Sequence, residues 1–398
     1  MLSLEEALGR LLTCVRPFAE REQLPTAQAL GRVLAEDLVS PLDVPPLANS
    51  SMDGYAVCRS NIPDEGVALP VSQRVAAGQV GTVLQPGTAA RIFTGAPVPD
   101  GADAIVMQEQ CELLDDGRVR LNTVPMARQW IREQGEDVRR GTVVLPRGTR
   151  LTPQAIGLAA TVGAATLPVA RKPRVALFST GDELVMPGEP LRPGAIYNSN
   201  RYTLRALLAQ LGCDCTDLGI VPDTLEATRD ALRRAAAGHD LILTSGGVSV
   251  GEEDHIKPAV QAEGQLDLWQ IAIKPGKPLA FGQVRDAWFI GLPGNPVSSF
   301  VTFLLAVRPF LLALQGSRVE PPQTLPMRAA FDWPKPDKRR EFLRVRRTAD
   351  GRVELFPNQS SGVLTSTVWA DGVVDNPPGQ AIASGDIVRY LSLAEWMQ

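Results

Sequence analysis

Histidine and paired cysteine are nearly missing from this sequence: 398 residues carry two histidines and five cysteines. Cys14, Cys58, Cys111, Cys213 and Cys215 are odd in number, scattered, and never spaced as C-x-x-C. That argues against a structural zinc site and a disulfide framework, and points to a reducing, cytoplasmic compartment. A basic excess is missing too, with 40 Lys and Arg against 44 Asp and Glu and a formal charge of -4. General nucleic-acid binders carry the opposite balance, while local basic sites for an anionic substrate stay compatible. The opening MLSLEEALGRLL lacks a basic stretch followed by an apolar core, so no secretory leader is expected. Ser3 and Glu6 instead have capping-box spacing before an amphipathic helix. The most apolar run, Phe300–Leu314, is broken by Arg308 and Pro309 and is short for a membrane span, so a packed helix is expected there.

What is present suits a globular protein of about two to four domains. Residues 1 to about 40 have apolar residues at helical spacing and read as helical. Ser40–Val57, rich in Pro, Ser and Asn, reads as a loop, and from there to about 138 short β-rich runs alternate with Gly and Pro. A strand and a helix follow, the helix opened by Thr152 as cap and Pro153 in the first turn. Over 171–316 strands and helices alternate, which predicts a doubly wound α/β domain with a mainly parallel sheet. Residues 322–398 are β-rich again and read as a small barrel or sandwich. The expected fold class is thus multidomain α/β plus β. It comprises a discontinuous helical and extended region (1–45 and 139–170), an inserted β domain (46–138), the α/β domain and a C-terminal β barrel. The split region is too small to bury its own apolar faces, so it is expected to form a homodimer contact.

The strongest site signals lie in the α/β domain. Three runs go strand, polar loop, helix: RVALFS before TGDELVMPGEP, DLILT before SGGVSVGEED, and AWFIGL before PGNP. In such a sheet these loops meet at the C-terminal strand edge, where ligands bind, and helix N-termini there favour anions. Ser245-Gly246-Gly247 offers small residues where a phosphate can approach the backbone. Asp182, Glu183, Asp223, Glu252, Glu253 and Asp254 supply carboxylates that suit Mg²⁺ beside substrate phosphates. Lys274 and Lys277 flank a Pro-Gly turn as point charges. Each feature alone is also what an ordinary turn looks like; three loops at one edge are harder to dismiss. Outside this domain, Asn49–Ala56 and Arg91–Pro97 are polar turns, and Lys335–Arg347 is a basic stretch that reads as a solvated hairpin or as a source of arginines such as Arg344 for an anion.

N-S-S-M-D-G-Y-A, R-I-F-T-G-A-P-V-P, F-S-T-G-D-E-L, S-G-G-V-S-V-G-E-E-D, I-K-P-G-K-P and G-L-P-G-N-P-V-S occur in this order, followed by R-E-F-L-R-V and N-Q-S-S-G. Together they resemble the molybdopterin molybdenumtransferase family, which includes MoeA and the E domain of gephyrin, essentially from end to end. The resemblance implies insertion of molybdate, as substrate, into adenylylated molybdopterin with Mg²⁺ assistance and release of AMP. It implies that Ser245, Gly246, Gly247 and Ser249 hold the pterin phosphate. Asp182, Glu183, Asp223 and Asp254 would handle Mg²⁺, water and substrate, and Lys274 and Lys277 would counter anionic charge. Pro293 and Pro296 would shape the crevice. Asp53, Thr94 and the metal-side Asp137 would come from the β domain, Arg344 and Ser360 from the C-terminal domain. A cytoplasmic homodimer is implied, with transient contact to other cofactor-biosynthesis proteins and with neither nucleic acid nor membrane as partner. One departure is Gln270, where the family often has lysine. Two other readings are a pterin adenylyltransferase, which needs little more than residues 171–316, and a non-enzymatic scaffold like the gephyrin E domain. The additional segments favour metal insertion over the first. The absence of a fused adenylyltransferase domain or long linker favours a plain biosynthetic enzyme over the second.

Overall fold

The computed structural model describes residues 1–248 and 255–397. Buried apolar runs build its central sheet. Its strands are β1 (Arg174–Thr180), β2 (Asp214–Val221), β3 (Leu241–Ser245), β4 (Gly264–Gln270), β5 (Pro278–Val284) and β6 (Ala287–Leu292), in the order β2-β1-β3-β6-β5-β4. The first four in that order run parallel, and β5 and β4 are antiparallel additions at one edge. All of β3 is buried, because helices cover both faces; a strand so placed shows no polar alternation. One face packs Leu204 and Leu208 of the helix Ser199–Gln210 with Phe303 and Leu311. The other packs Leu232 and Ala235 of Leu225–Ala236 with Ile256 and Val260 of Ile256–Glu263.

The apolar run is the packed helix expected, and Arg308 and Pro309 do not interrupt it: Pro296–Leu314 continues as an α segment, a π turn at Phe303–Val307, and a second α segment from Arg308. Pro309 has no N–H to give to Leu305, and the π turn directly upstream takes up the break in the ladder. By length and composition this run of 19 residues is able to cross a membrane, yet 89% of its apolar window is buried inside the protein. It is the core helix of the α/β unit.

Residues 1 to about 40 also differ. Only Leu4–Cys14 is α-helical, and its capping box is formed, with Ser3 N–H donating to Glu6 Oε2 at 2.8 Å and Glu6 N–H to Ser3 Oγ at 3.1 Å. Its Leu4, Ala7 and Leu11 face enters the α/β core. From Arg21 the chain is mostly extended: Arg21–Pro25 pairs antiparallel with Thr166–Ala170, and Leu38–Val39 with Val143–Leu145. Pro25 and Gly31, at φ 75, block a helix locally, and the strands gain their hydrogen bonds from partners far along the chain, which local apolar spacing does not reveal. Leu34, Leu151, Ala159 and Leu167 form a small core between them. The helix Pro153–Thr161 starts as its sequence predicts, with Thr152 Oγ1 accepting from Ala155 N–H.

The insert is a six-stranded sheet in the order Ala104–Met107, Gly54–Val57, Ala89–Ile92, Ala68–Val75, Arg118–Leu121, Cys111–Leu113. The C-terminal strands Arg340–Arg347, Arg352–Leu355, Leu325–Ala329, Ile387–Ser392 and Gly372–Asn376 close on themselves, because the last pairs back to the first from Glu341↔Asn376 to Val345↔Gly372. That closure makes the unit a barrel rather than a sandwich. Ile273–Lys274, from the α/β part of the chain, adds to its rim in parallel, with Lys274 opposite Glu341.

Leu11 is fully buried, so Leu11→Ala should destabilise the α/β unit by about 2–5 kcal/mol. Urea unfolding followed by tryptophan fluorescence reads this, since Trp396 shares the same core. A loss below about 0.5 kcal/mol, the size of an ordinary surface change, would mean that the helix does not belong to that core.

Candidate active site

A crevice of about 740 Å³ opens at the C-terminal edge of the parallel strands, its walls made by the loops after β1, β2, β3 and β6. Its volume falls in the range of small-molecule sites. Glu183 comes from the loop after β1, Asp223 from the end of β2, Ser245–Gly247 from the end of β3, and Pro293–Pro296 from the loop after β6. The parallel sheet therefore gathers four of the expected groups into one space. The loops touch through backbone: a Cβ on Gly294 would lie 3.7 Å from Gly246 Cα, and Gly246 N–H donates to Leu292 O at 3.1 Å. Gly247 has a φ of 66, and a Cβ there would meet Ile256 Cγ1 at 2.5 Å and Thr180 Oγ1 at 2.8 Å, so only glycine fits.

Several wall residues escaped the reading of the sequence. Asn198 caps the helix Ser199–Gln210 through its side-chain oxygen, while its buried Nδ2 has no hydrogen-bond partner among the described residues. Asn200 Nδ2 donates to Gly294 O at 2.7 Å and ties that helix to the opposite loop. Gly362 and Leu364 reach the wall from the barrel, where Val297 N–H, in the first turn of the Pro296 helix, donates to Ser361 O at 2.9 Å. An asparagine cap ahead of a helix was a legible signal for Asn198; Gly362 closes the N-Q-S-S-G segment, and nothing local marked Leu364.

Other expected residues stand elsewhere. Asp182 is exposed and off the wall, its carbonyl accepting from Arg192. Lys277 is exposed and also off the wall. Lys274 lies between the α/β unit and the barrel, 3.2 Å from Glu341 and 3.5 Å from Asp337. Glu341 is fully buried and also accepts from Trp333 Nε1 at 2.8 Å, so the Lys274 charge is answered by carboxylates of the barrel. Arg344 is no solvated hairpin residue: it is 2% exposed, and its guanidinium donates to Ser360 O and Ser366 Oγ at 3.2 Å and to Phe342 O at 3.3 Å. Burial pushes its pKa down to about 10. It holds the loop that carries Ser360 and Gly362. Ser249 and Asp254, with Glu252 and Glu253, lie outside the described residues.

In the β-rich insert, Asp53 Oδ1 accepts from the Thr94 N–H and from the Thr94 hydroxyl, both at 2.8 Å. The backbone bond, then the hydroxyl, holds the Asp53 carboxyl below the usual carboxylate range. Neither residue lines the crevice of its own chain, and neither does the exposed Asp137. Among the described residues no three His, Cys, Asp or Glu side chains form a ready-made metal cluster. Glu183 and Asp223 beside a glycine loop fit Mg²⁺ nonetheless, because that ion commonly takes one or two carboxylates and completes its shell with substrate phosphates and water.

Three family models match the chain: the MoeA N-terminal region (domain I and II) over residues 2–163, the probable molybdopterin binding domain over 176–313, and the MoeA C-terminal region (domain IV) over 326–393. The molybdopterin molybdenumtransferase of Synechococcus elongatus is 38% identical over 384 residues, 94% of each chain. That of Haemophilus influenzae is 44% identical over 319 residues, 80% of this chain and 79% of the relative. The chain belongs to the MoeA family. A solved MoeA structure from Pyrococcus horikoshii matches it with a TM-score of 0.85 at 28% identity, covering 98% of this chain and 100% of the other. The likeness to these MoeA proteins spans the insert, the α/β unit and the barrel together.

Two outcomes follow from this geometry. Gly247→Ala should abolish turnover while the protein still folds, read as activity beside a thermal melt; unchanged turnover would place the reaction outside the crevice. In Thr94→Ala the Asp53 carboxyl should titrate at a higher pH than in the wild type. Because the folded-state value is depressed, the hydrogen-bonded carboxylate supports its loop above the unfolded value and loses that support as pH falls through the folded one. The variant should lose it at higher pH, measured by NMR of the aspartate carboxyl carbons. An unchanged midpoint would show that the hydroxyl contributes nothing.

Proposed function

We propose that this protein inserts molybdate into adenylylated molybdopterin and releases AMP, as a late step of molybdenum-cofactor biosynthesis. Its membership of a family of molybdopterin molybdenumtransferases supports the reaction class. The observation that carries the finer reading is the meeting of Glu183, Asp223, the Ser245–Gly247 loop and the Pro293–Pro296 turn in one crevice. The glycine loop, whose lack of side chains lets a phosphate approach the backbone closely, receives the pterin phosphate. The first turn of the Pro296 helix, fixed by Ser361, faces the same space and favours negative charge. Glu183 and Asp223 would hold Mg²⁺, which when bound supplies positive charge beside the phosphoanhydride. Water adds across the P–O–P bond, so that AMP and the pterin phosphate part. The protein's contribution is positioning and charge stabilisation, the usual economy of phosphoryl chemistry. Arg344 and Gln359 support the barrel loop around Ser360 from behind, Gln359 Oε1 accepting from Arg344 N–H at 2.9 Å. The matched N- and C-terminal regions favour this reaction over a pterin adenylyltransferase built on the central unit alone.

A cytoplasmic homodimer is part of the same reading. All five cysteines are free thiols, as in a reducing compartment. Val39 and Val143 are register partners on the N-terminal ribbons, each 46% exposed, with Leu30 and Leu47 exposed nearby in sequence; a second copy would bury such surface. In a twofold dimer, Asp53, Thr94 and Asp137 of one protomer would complete the crevice of its partner. Glu183→Gln should abolish AMP release from adenylylated molybdopterin, molybdate and Mg²⁺ without lowering the melting temperature; retained release per folded molecule would remove Glu183 from the reaction. Asp53→Asn and Glu183→Gln chains, each inactive alone, should on random subunit exchange recover roughly one quarter of wild-type turnover, since about half the dimers are mixed and each mixed dimer has one intact site. No recovery despite proven exchange would defeat the shared site.

A further inference from the structure

A second cavity, of about 370 Å³, lies away from the crevice, where the loop Pro146–Arg150, the start of the helix Arg308–Leu314 and the connection Ser317–Glu320 meet. Its ionisable walls are Arg147, Arg150, Arg308, Arg318 and a single carboxylate, Glu320. None of the four arginines makes an ion pair among the described residues, although arginines elsewhere in the chain form many. Arg150 is half-buried and has only carbonyl partners, Gln210 O at 3.0 Å and Gly31 O at 3.4 Å. Arg308 is more deeply placed: its Nε is buried and has no hydrogen-bond partner among the described residues. Burial, and then the positive charge of Arg150, push the Arg308 pKa below its ordinary value. A desolvated guanidinium facing a like charge is a costly arrangement without an anion.

The two loops that wall this cavity are in backbone contact. Gly148 has a φ of 84, and a Cβ there would lie 2.6 Å from Gly316 O. The arginines therefore stand on opposed, touching segments, a geometry that lets several guanidinium forks converge on one tetrahedral oxyanion.

We infer that this cavity is a binding site for a phosphate-type oxyanion, held by Arg308 and Arg150 with Arg147 and Arg318 at its mouth. Its volume falls at the small end of ligand sites and admits either free phosphate or the phosphate of a small ester such as a nucleotide. The bound anion neutralises Arg308 and fastens the connection that leads from the α/β unit to the barrel.

The test is equilibrium dialysis of the full chain with radiolabelled inorganic phosphate at low ionic strength, comparing wild type, Arg308→Gln and the exposed-site variant Arg318→Gln. The crevice is unchanged in all three, so differences report this cavity. Wild type should take up one more phosphate per chain than Arg308→Gln, and Arg318→Gln should hold that phosphate roughly tenfold more weakly, as expected for a lost charged hydrogen bond. In a parallel arm, AMP displacing that phosphate identifies an ester as the ligand, and failure of AMP to displace it identifies the free oxyanion; both support the site. The melting temperature of wild type should rise with phosphate and that of Arg308→Gln should not. Identical uptake by all three proteins would overturn the proposal. So would unchanged uptake accompanied by a weakened dimer in the variants, which would assign the arginines to carboxylates of a second copy.

Discussion

Close backbone approach at the C-terminal edge of the parallel strands is the constraint on which the rest of the site depends. Gly247 sits where a methyl group would overlap Ile256 and Thr180, so the loop after β3 packs tightly and turns its backbone toward the crevice. Gly246 and Gly294 continue that contact to the loop after β6. A side chain at Gly246, where a Cβ would lie 2.9 Å from Thr180 O, or at Gly247 would push these loops apart and move Glu183, Asp223 and the Pro296 helix out of reach of one ligand. The parallel sheet supplies the common edge; the glycines make it concave.

The barrel is coupled to this edge by three separate interactions. Ile273–Lys274 pairs with Arg340–Glu341, Ser361 caps into the Pro296 helix, and the buried Arg344 secures the Ser360 loop through its carbonyl. The Lys274 ion pair with the fully buried Glu341 belongs to the same coupling. A buried carboxylate is costly unless it is paired and hydrogen-bonded; Lys274 and Trp333 both answer it. Lys274 thus stands at the seam between the units, in a place where its charge fixes their register.

The α/β unit was legible because β1, β3 and β6 are largely apolar runs followed by polar, glycine-containing loops, a pattern set within short windows of sequence. The crevice residues on those loops, Glu183, Asp223, Gly246, Gly247, Pro293 and Pro296, were legible for the same reason. The N-terminal ribbons were not, since Arg21–Pro25 is held by Thr166–Ala170 and its local spacing mimics a helix. The barrel was expected from the β-rich residues 322–398, but the pairing that closes it, Gly372–Asn376 with Arg340–Arg347, joins strands too far apart in the chain to be read locally. Arg344 stands in a basic stretch that reads as a solvated hairpin or as a source of arginines for an anion, yet its strand is buried without a break from Glu341 to Val345, and its guanidinium packs beneath the Ser360 loop. Leu364 gave no local sign of its role, and Gly362 was marked only as the end of the N-Q-S-S-G segment, because only tertiary packing brings them to the crevice wall.

The central claim is that the pterin phosphate rests on the glycine loop at the end of β3. A crystal structure of the protein with molybdopterin bound tests it most directly. The terminal phosphate should lie within hydrogen-bond distance of the Ser245–Gly247 backbone, with Glu183 and Asp223 facing the same ligand. A pterin phosphate bound elsewhere, with this crevice left to solvent, would contradict it.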